Sequence, residues 1–287
     1  MKIQWKVSVR EDKKSLIEFL QDHLIDKAFS RRKIKGFIDA GYCFVQGKCE
    51  RFSSAAVRSG WQISLSVPEV SRQSLTILYE DEAIVVINKP DSTTCDERLE
   101  KALLEMGKRV HLVHRLDKDT SGVLLLAKTV PIRDLLMKQF QERTVKKRYA
   151  AIVEGKIGKT GVIENYLGPI ARYQGAVKWG EVKSGHYAYT KWICHKQIAD
   201  YSFVELQPET GKTHQLRVHL SGIGHPILGD HLYGSVHAAK VCRYMLHAYE
   251  LGICHPITQK ELVFQAPLPK DMIEIGHSLF RQKLCIS

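Results

Sequence analysis

Residues Leu112–Lys128 read LVHRLDKDTSGVLLLAK and run without a linker from charged and hydroxyl side chains into valine and leucine. The apolar half predicts a buried strand with a dense group of charges at its mouth. Residues 119–122, DTSG, are a favourable turn sequence, so local structure accounts for them. Asp117 has no such explanation, and a surface ion pair or a cap is the alternative to a chemical role. The motif by itself does not choose between Asp117 and Asp119 as a reactive carboxylate.

The bulk composition predicts a folded, basic protein with room for two domains. The 287 residues are 44% hydrophobic and 26% charged, which is ordinary for a globular chain. Lys and Arg number 43 against 31 Asp and Glu, which leaves a formal charge of +12. This excess favours an anionic partner, either nucleic acid or an acidic membrane surface. A basic protein without such a partner remains the alternative.

The sequence carries no evident targeting or membrane signal. No apolar run approaches the roughly 18 residues that cross a bilayer, and the N-terminal MKIQWKVSVREDKK lacks a signal-peptide core. We therefore expect a cytoplasmic protein with no membrane partner. The seven cysteines are scattered without a CxxC pair, which favours buried apolar side chains over a zinc site or a disulfide framework.

The chain also lacks a cofactor signature. IGKTG and TGKTH each contain the Gly-Lys-Thr end of a phosphate loop, but Val153 and Leu206 stand where the first glycine is required. Neither a dinucleotide fingerprint nor HExxH spacing is present. We expect a redox-neutral reaction without cofactor, nucleotide or metal, which leaves isomerisation and hydrolysis. A metal-dependent hydrolase that holds Mg²⁺ with Asp117 and Asp119 is kept as an alternative.

Residues 1–67 are predicted to form a small α+β domain. KKSLIEFLQDHLI and SRRKIKGFIDAG place their apolar residues at helical spacing, with Ser30 as the N-cap and Gly41 as the stop of the second helix. YCFV, QGK and WQISLSV predict a strand, a tight turn and a half-buried strand. The polar residues 68–74 are predicted to be a linker, and the second domain occupies 75–287.

Four basic side chains crowd the first turns of the second helix: Arg31, Arg32, Lys33 and Lys35. The positive end of the helix dipole lies there, and each cation near it costs a few tenths of a kcal/mol, up to about 1 kcal/mol. An anion held jointly by the free backbone N–H groups and these side chains offsets that cost, and RNA phosphate is the obvious candidate. A solvated basic face is the alternative.

Helices and strands alternate irregularly in the second domain, which predicts a mixed sheet with helices against it. Strands are expected in LTILYEDEAIVVINKP, KKRYAAIVEG, HYAYTKWICHK and YSFVELQPE, with flexible hairpins and loops over 156–190. Three helices are expected: one from Asp96 to Gly107, one that starts at Pro131, and one capped by Thr213. The apolar side chains assigned to the first two are Leu99, Leu103, Met106, Leu135, Leu136 and Phe140.

Five segments resemble, in order, motifs of the RluA-type family of RNA pseudouridine synthases: INKP, HRLDKDTSG, KKRYAAIVEG, TGKTHQLRVHLSGIGHPILGDHLYG and LHAYELGICHPIT. The likeness covers almost all of residues 75–275, and residues 1–67 resemble the S4 RNA-binding domain. The resemblance implies an α+β fold with a mixed, largely antiparallel central sheet and flanking helices. It also implies an enzyme that isomerises uridine to pseudouridine in structured RNA, with ribosomal RNA of the large subunit as the target. We expect this enzyme to be a monomer. Transfer RNA as the substrate, and a catalytically silent ribosome assembly factor, are the alternatives.

The same resemblance implies roles for five residues. Asp117 corresponds to the catalytic carboxylate, which attacks the ribose C1′ or removes a proton beside it. Tyr149 corresponds to the tyrosine that stacks on the target base and assists removal of the C5 proton, and Leu216 packs near the base. Arg217 corresponds to the basic partner of the carboxylate, and Arg115 to the arginine that enters the RNA stack when the uridine leaves it.

Elementary chemistry agrees with these roles. A reactive carboxylate must stay ionised, and a close guanidinium favours the charged form that burial opposes. A base cannot react inside a stack, so it must be extruded at a cost of a few kcal/mol. Stacking on one aromatic ring recovers about 1–3 kcal/mol of that cost. An arginine that fills the gap, together with contacts to phosphates, supplies the rest.

Overall fold

The computed structural model describes residues 2–25, 29–39, 41–66, 75–173, 176–237, 241–282 and 284. The chain divides into two compact units, Met1–Ser74 with Val236–Arg243, and Leu75–Ser235 with Tyr244–Ser287. The predicted linker, 68–74, lies outside the described residues. The sequence prediction assigned 236–243 to the second domain, whereas the structure groups this segment with the first unit. A segment of eight residues that belongs to a unit distant in sequence leaves no periodic apolar pattern, so nothing in the sequence marked it.

In the described residues of the first unit, a four-stranded antiparallel sheet is accompanied by two short α-helices and a 3-10 turn at Val9–Glu11. Its elements are β1 Lys2–Lys6, α1 Leu16–His23, α2 Arg31–Asp39, β2 Cys43–Val45, β3 Lys48–Cys49 and β4 Gln62–Ser66. The strand order is β1-β4-β2-β3. Ser15 accepts the Glu18 N–H while the Glu18 carboxylate accepts the Ser15 N–H, a capping box that starts α1. Ser30 accepts the Lys33 N–H at the start of α2, so the predicted N-cap is confirmed.

The two predicted helices and the half-buried strand are confirmed in this unit. Ile34 and Ile38 are buried on the inner face of α2, and Ile63 and Leu65 are buried on the inner face of β4. The sequence prediction missed β1, which pairs with β4 over its whole length. Its signal was the alternation of apolar residues over Ile3–Val7.

The second unit is built on an eleven-stranded sheet. Its strands are β5 Thr76–Glu80, β6 Ile84–Lys89, β7 His111–Leu112, β8 Ser121–Ala127, β9 Lys146–Glu154, β10 Thr160–Tyr173, β11 Ala176–Glu181, β12 His186–Gln197, β13 Tyr201–Pro208, β14 Leu246–Cys254 and β15 Glu261–Gln265. Its helices are α3 Glu97–Glu105, α4 Val130–Gln141, α5 Gln215–Gly222 and α6 Lys270–Phe280. The sheet order is β11-β10-β12-β13-β9-β14-β8-β6-β5, with β15 beside β14 and β7 beside β8.

This sheet confirms the predicted fold class. Among the strand pairs of the described residues, β8 and β14 run parallel and the other pairs run antiparallel. Apolar clusters cover both faces of β8: Val123 and Leu125 face one, and Leu124 and Leu126 face the other. The strand that follows the charged stretch is therefore buried on both faces, as the sequence predicted. No helix in the described ranges is long and apolar enough to cross a membrane.

The turn before β8 lies two residues earlier than predicted. The Thr120 N–H donates to the Asp117 carbonyl at 3.0 Å, so the turn runs from Asp117 to Thr120. Ser121 and Gly122, which the prediction placed in the turn, begin the strand. Gly122 has a φ of +118°, and a Cβ there would collide with the backbone of Ala248 on the parallel strand β14. The glycine thus permits close strand approach rather than the turn.

Two further local predictions are wrong, and a third is confirmed only in part. Residues 156–190 contain antiparallel strand pairs, in line with the predicted hairpins, but regular strands stand where loops were expected, and β10 alone runs for 14 residues. These strands were hard to recognise in the sequence because parts of both their faces are exposed. The alternation of apolar and polar residues along them is therefore weak. Met106 and Leu135 were assigned to the inner faces of α3 and α4, but they are 42% and 49% exposed. Each helix buries a narrower stripe, which holds Leu99 and Leu103 in α3 and Leu136 in α4.

Candidate active site

A cavity of about 1100 Å³ opens in the second unit, against the turn that precedes β8. The end of α4, the start of β9 and the loop before α5 also line it. Five residues singled out from the sequence meet in it: Arg115, Asp117, Tyr149, Leu216 and Arg217. The other four, Arg31, Arg32, Lys33 and Lys35, lie on α2 of the first unit.

Asp117 and Arg217 form the predicted ion pair. Arg217 Nη1 donates to Asp117 Oδ2 at 3.3 Å across 100 residues of sequence. The guanidinium side chain is 8% exposed, while the carboxylate side chain is 30% exposed and opens to the cavity. The structure therefore places a partly exposed anion against a buried cation, and the anion lines the cavity that a substrate would enter.

A second carboxylate, which sequence reasoning missed, fixes the guanidinium. Asp230 accepts from Arg217 Nε at 2.7 Å and from Nη2 at 2.9 Å, a bidentate pair in which Asp230 is 1% exposed. Burial opposes the charge of Arg217, but the hydrogen bonds and the charge of Asp230 outweigh it and raise its pKa. Of the guanidinium nitrogens, Nη1 is the one that points to Asp117.

Two tyrosine rings hold the guanidinium plane as well. The Arg217 Cζ lies 4.8 Å from the ring centre of Tyr233 and 4.3 Å from that of Tyr244. These distances are in the range of cation–π contacts. Burial and then the charge of Asp117 raise the pKa of Tyr244, so this ring stays neutral beside the ion pair. Arg217 is thus restrained by two aromatic rings and by the bidentate pair with Asp230.

His214 is a further titratable group beside the carboxylate. Its Nε2 lies 3.9 Å from Asp117 Oδ2, and its Nδ1 lies 2.8 Å from the Tyr233 hydroxyl. Burial, and next the charge of Arg217, lower the pKa of this imidazole, so it is neutral at neutral pH. His214 has a φ of +56° and stands at the N-cap of α5, so the predicted cap, Thr213, is wrong.

Gln215 sets the geometry of the loop before α5. Its Oε1 accepts the Thr210 hydroxyl at 2.7 Å and the Lys212 N–H at 3.0 Å. Its Nε2 donates to the Tyr189 carbonyl at 3.0 Å. The buried side-chain amide of Gln215 therefore holds the loop at the start of α5 in place and connects it to β12 by a hydrogen bond. No local pattern in the sequence signals this arrangement.

Tyr149 lies between the core and the cavity. It pairs with Ala248 and Leu206 in the sheet, packs against two apolar clusters, and lines the cavity with its remaining surface. Burial, and then the charge of Asp117, raise the pKa of the phenol. At neutral pH the ring therefore keeps its proton.

The contacts of Lys89 give the Asn-Lys-Pro segment, which precedes the charged stretch, a structural role. This lysine is 0% exposed, and its Nζ donates to the carbonyls of Pro90 at 2.9 Å, Thr93 at 2.8 Å and Lys118 at 3.1 Å. The last contact reaches the residue after Asp117, so the end of β6 braces the reactive turn. A lysine at the end of the apolar strand Ile84–Lys89 was the signal in the sequence. Among the described residues, no group of three or more His, Cys, Asp or Glu is placed to hold a metal ion.

Comparison with known proteins agrees with this geometry. Residues 80–222 match the family described as RNA pseudouridylate synthase. The ribosomal large subunit pseudouridine synthase D of Pasteurella multocida is 33% identical over 88% of this chain and 87% of that protein. The uncharacterized RNA pseudouridine synthase YlyB of Bacillus subtilis is 31% identical over 96% of this chain and 98% of its own.

Solved structures give the same result for the fold. The human RNA pseudouridylate synthase domain containing 4 is 29% identical, with a TM-score of 0.59 over 71% of this chain and 93% of that chain. The human RNA pseudouridylate synthase domain containing 1 is 26% identical, with a TM-score of 0.62 over 76% of this chain and 99% of that chain. The chain therefore belongs to the RNA pseudouridylate synthase family, and to its RluA type.

Proposed function

We propose that this chain converts a uridine of large-subunit ribosomal RNA to pseudouridine. The observation that carries the proposal is the position of Asp117, whose carboxylate lies 3.3 Å from Arg217 in a cavity that Tyr149 also lines. The ribosomal target is supported by the similarity to the large-subunit synthase of Pasteurella multocida, at 33% identity over 88% of this chain. A formal charge of +12 suits a polyanionic substrate.

The proposed reaction is an isomerisation that balances within one nucleotide. The N1–C1′ glycosidic bond breaks, the freed uracil turns, and C5 forms the new bond to C1′. C5 then loses its proton and N1 gains one, so neither an oxidant nor a reductant is consumed. Asp117 either attacks C1′ or removes a proton beside it, and both routes require an ionised carboxylate. The adjacent guanidinium of Arg217 favours that form.

Tyr149 is proposed to act as the platform on which the extruded base stacks. Its phenol keeps its proton at neutral pH because burial and the charge of Asp117 raise its pKa. A protonated phenol is a poor base, so the ring rather than an ionised oxygen is the useful part. Stacking on such a ring stabilises a bound base by about 1–3 kcal/mol. Leu216 is proposed to pack beside the base, and Arg115 to fill the gap that the base leaves in the RNA.

The first unit is proposed to be an S4-like module that binds RNA through α2. Arg31, Arg32, Lys33 and Lys35 are all exposed there. Two of them also have polar partners within the unit, since Arg31 donates to Gln21 at 2.6 Å and Lys35 pairs with Asp39 at 2.7 Å. Lys33 lies 4.5 Å from the ring centre of Phe29. We further propose that the protein acts as a monomer in the cytoplasm.

The test compares wild type with Asp117→Asn, a substitution that keeps the shape of the side chain. Transcripts of large-subunit ribosomal RNA and a pool of transfer RNAs are incubated with each protein, once in buffer containing EDTA and once in buffer containing Mg²⁺. Pseudouridines are then mapped by carbodiimide modification and primer extension. Wild type is expected to modify the large-subunit transcript, while Asp117→Asn makes no pseudouridine but retains its affinity for RNA in filter binding.

Each of the other outcomes identifies a different error. Modification of the transfer RNA pool alone would revise the target. RNA binding by wild type without any pseudouridine would favour a silent assembly factor, and dependence on a divalent ion would favour the metal-dependent alternative. Pseudouridine formation by Asp117→Asn would remove Asp117 from the chemistry.

A further inference from the structure

Three basic side chains of the active-site cavity lie close enough together for the charges of two of them to act on the third. Arg143 follows α4, Lys147 lies on β9, and Lys212 lies in the loop before α5. All three line the cavity. Within the described part of the chain, none of the three has a carboxylate partner among the ion pairs, and this cluster has no part in the chemistry proposed for Asp117.

The strand neighbours of Lys147 show the contrast. Lys146 lies 3.7 Å from Glu261, and Arg148 lies 3.3 Å from Glu250. Side chains alternate between the faces of a strand, so these two point to the opposite face from Lys147. The opposite face supplies carboxylates for its cations, whereas the cavity face supplies Lys147 with a neutral acceptor, the Thr210 carbonyl at 3.0 Å.

The electrostatic state of Lys147 reflects its burial and its cationic neighbours. Burial lowers its pKa to about 8, and the charges of Arg143 and Lys212 act in the same direction. Burial, and next the charge of Lys147, lower the pKa of the His114 imidazole to about 3, so His114 is neutral. Among the described residues, no carboxylate forms an ion pair with any of the three cations, so the repulsion of Lys147 by Arg143 and Lys212 is not offset by such a pair. A bound anion would relieve it.

The spacing from Tyr149 indicates which anion. Lys147 and Tyr149 are two residues apart on β9, so they share the cavity face at a separation of about 6.8 Å between Cα atoms. A nucleotide whose base stacks on Tyr149 carries its own phosphate at the edge of its sugar, a comparable distance from the ring. Two hydrogen bonds to backbone groups hold Lys147 and the loop that carries Lys212 in place. Thr210 holds Lys147, and Gln215 holds the Lys212 N–H at 3.0 Å.

We propose that Arg143, Lys147 and Lys212 bind the backbone phosphate of the nucleotide whose base enters the cavity. This subsite rests on the proposed function and adds to it a clamp on the substrate backbone. Phosphate contacts position a nucleic acid without reading its sequence, so the clamp places C1′ against Asp117 whatever the neighbouring bases are. Part of the cost of extruding the base is offset here, beyond what stacking provides.

The test uses the titration of Lys147 and two substitutions. Initial rates on the large-subunit transcript give KM and kcat between pH 6.5 and 9.5 for wild type, Lys147→Arg and Lys147→Gln. Phosphate binding favours the charged lysine, so its contribution is present below about pH 8 and is lost above it. The ratio of the wild-type KM to the Lys147→Arg KM is expected to rise up to about tenfold between pH 7 and 9, because an arginine stays charged throughout. This ratio cancels any titration of the RNA itself.

Lys147→Gln is expected to have a raised KM at every pH, with the change in kcat smaller than the change in KM. The matched control is Lys146→Gln, one residue away on the opposite face, whose side chain is 72% exposed and whose KM is expected to follow wild type. Should Lys147→Gln fail to fold, as judged by its circular dichroism, the pH series of Lys147→Arg decides alone.

The proposal is overturned if the KM ratio stays flat across the pH range, or if Lys147→Gln binds RNA as wild type does. A loss confined to kcat that grows as the lysine becomes charged would instead make Lys147 a proton acceptor. These outcomes are separate from failure of the proposed function, in which wild type makes no pseudouridine at any pH.

Discussion

Asp230 and Asp117 both bind the Arg217 guanidinium, but they differ in burial. We infer that Asp230 mainly stabilises the fold and that Asp117 takes part in the chemistry. Asp230 is 1% exposed and makes two hydrogen bonds to Arg217, at 2.7 and 2.9 Å. The Asp117 side chain is 30% exposed and makes one longer contact, at 3.3 Å. Removing Asp230 leaves the buried Arg217 cation without its main partner, whereas removing Asp117 leaves Arg217 paired with Asp230.

Asp230→Asn is therefore expected to lower the free energy of unfolding by about 3 kcal/mol, since breaking a buried ion pair costs about 3–5 kcal/mol and asparagine keeps one acceptor. Asp117→Asn is expected to change it by less than about 1 kcal/mol. Urea unfolding followed by tryptophan fluorescence measures both. Equal losses for the two variants would contradict this division of roles.

Asp230→Asn should also slow the reaction without removing any group that touches the substrate. Without the bidentate hydrogen bonds to Asp230, the Arg217 guanidinium can rotate against the rings of Tyr233 and Tyr244. A misplacement of about 1 Å in an active site can cost roughly a hundredfold in rate. Asp230→Glu keeps the charge and provides the rescue control. A purely structural role for Asp230 would lower stability and leave kcat of the folded fraction at the wild-type value.

At the scale of elements, β8 joins the core to the reactive turn. Its residues Ser121–Ala127 are all buried, and the turn that carries Asp117 leads directly into its first residue. Gly122 allows the parallel neighbour β14 to approach, because a Cβ there would collide with the Ala248 backbone. Any shift of β8 away from β14 would move the turn, and with it Asp117, relative to Tyr149 on β9.

Gly122→Ala is thus expected to destabilise the second unit by about 3 kcal/mol or more, from backbone strain at a φ of +118° and from overpacking. Pseudouridine formation should fall with it, even in the fraction that remains folded. The control is Gly222→Ala at the end of α5, where a Cβ would meet nothing within 4 Å and stability should change by less than about 1 kcal/mol. Urea unfolding of both variants gives the comparison, and wild-type stability in Gly122→Ala would contradict this account of β8.

Sequence patterns predicted the elements whose apolar residues form a regular pattern. The helices α1 and α2 were visible as apolar residues at helical spacing, and the strands β6, β8 and β9 as runs of apolar residues. The approach of Asp117, Tyr149 and Arg217 was expected from the family resemblance alone, since the first and last are 100 residues apart in the chain.

The supporting residues were not predictable in this way. Asp230, Lys89 and Gln215 act through partners that are remote in sequence or that belong to the backbone, and such contacts leave no local periodicity. The left-handed conformation of His214 is likewise set by its surroundings, because most histidines, like other non-glycine residues, do not adopt a positive φ. Tertiary context, rather than local propensity, decided each of these positions.

At the scale of the whole molecule, the basic charge is distributed over both units. The second unit carries Arg143, Lys147 and Lys212 in its cavity, and the first unit carries exposed basic residues along α2. Each phosphate that a protein neutralises releases counterions, so affinity for RNA falls steeply as salt rises. A protein that engages RNA through both units should show a salt dependence larger than the cavity alone would produce.

Arg32 offers the cleanest test of the first unit, because it is exposed on α2 while Arg31 and Lys35 also have partners within the unit. Arg32→Gln is expected to weaken binding to the large-subunit transcript and to reduce the slope of log affinity against log salt by about 1, the value for one lost phosphate contact. The matched control is Lys138→Gln on α4, whose side chain is 68% exposed and pairs with Glu142. Filter binding from 50 to 300 mM salt measures both slopes. An unchanged slope for Arg32→Gln would mean that α2 is a solvated basic face and that the cavity unit alone holds the RNA.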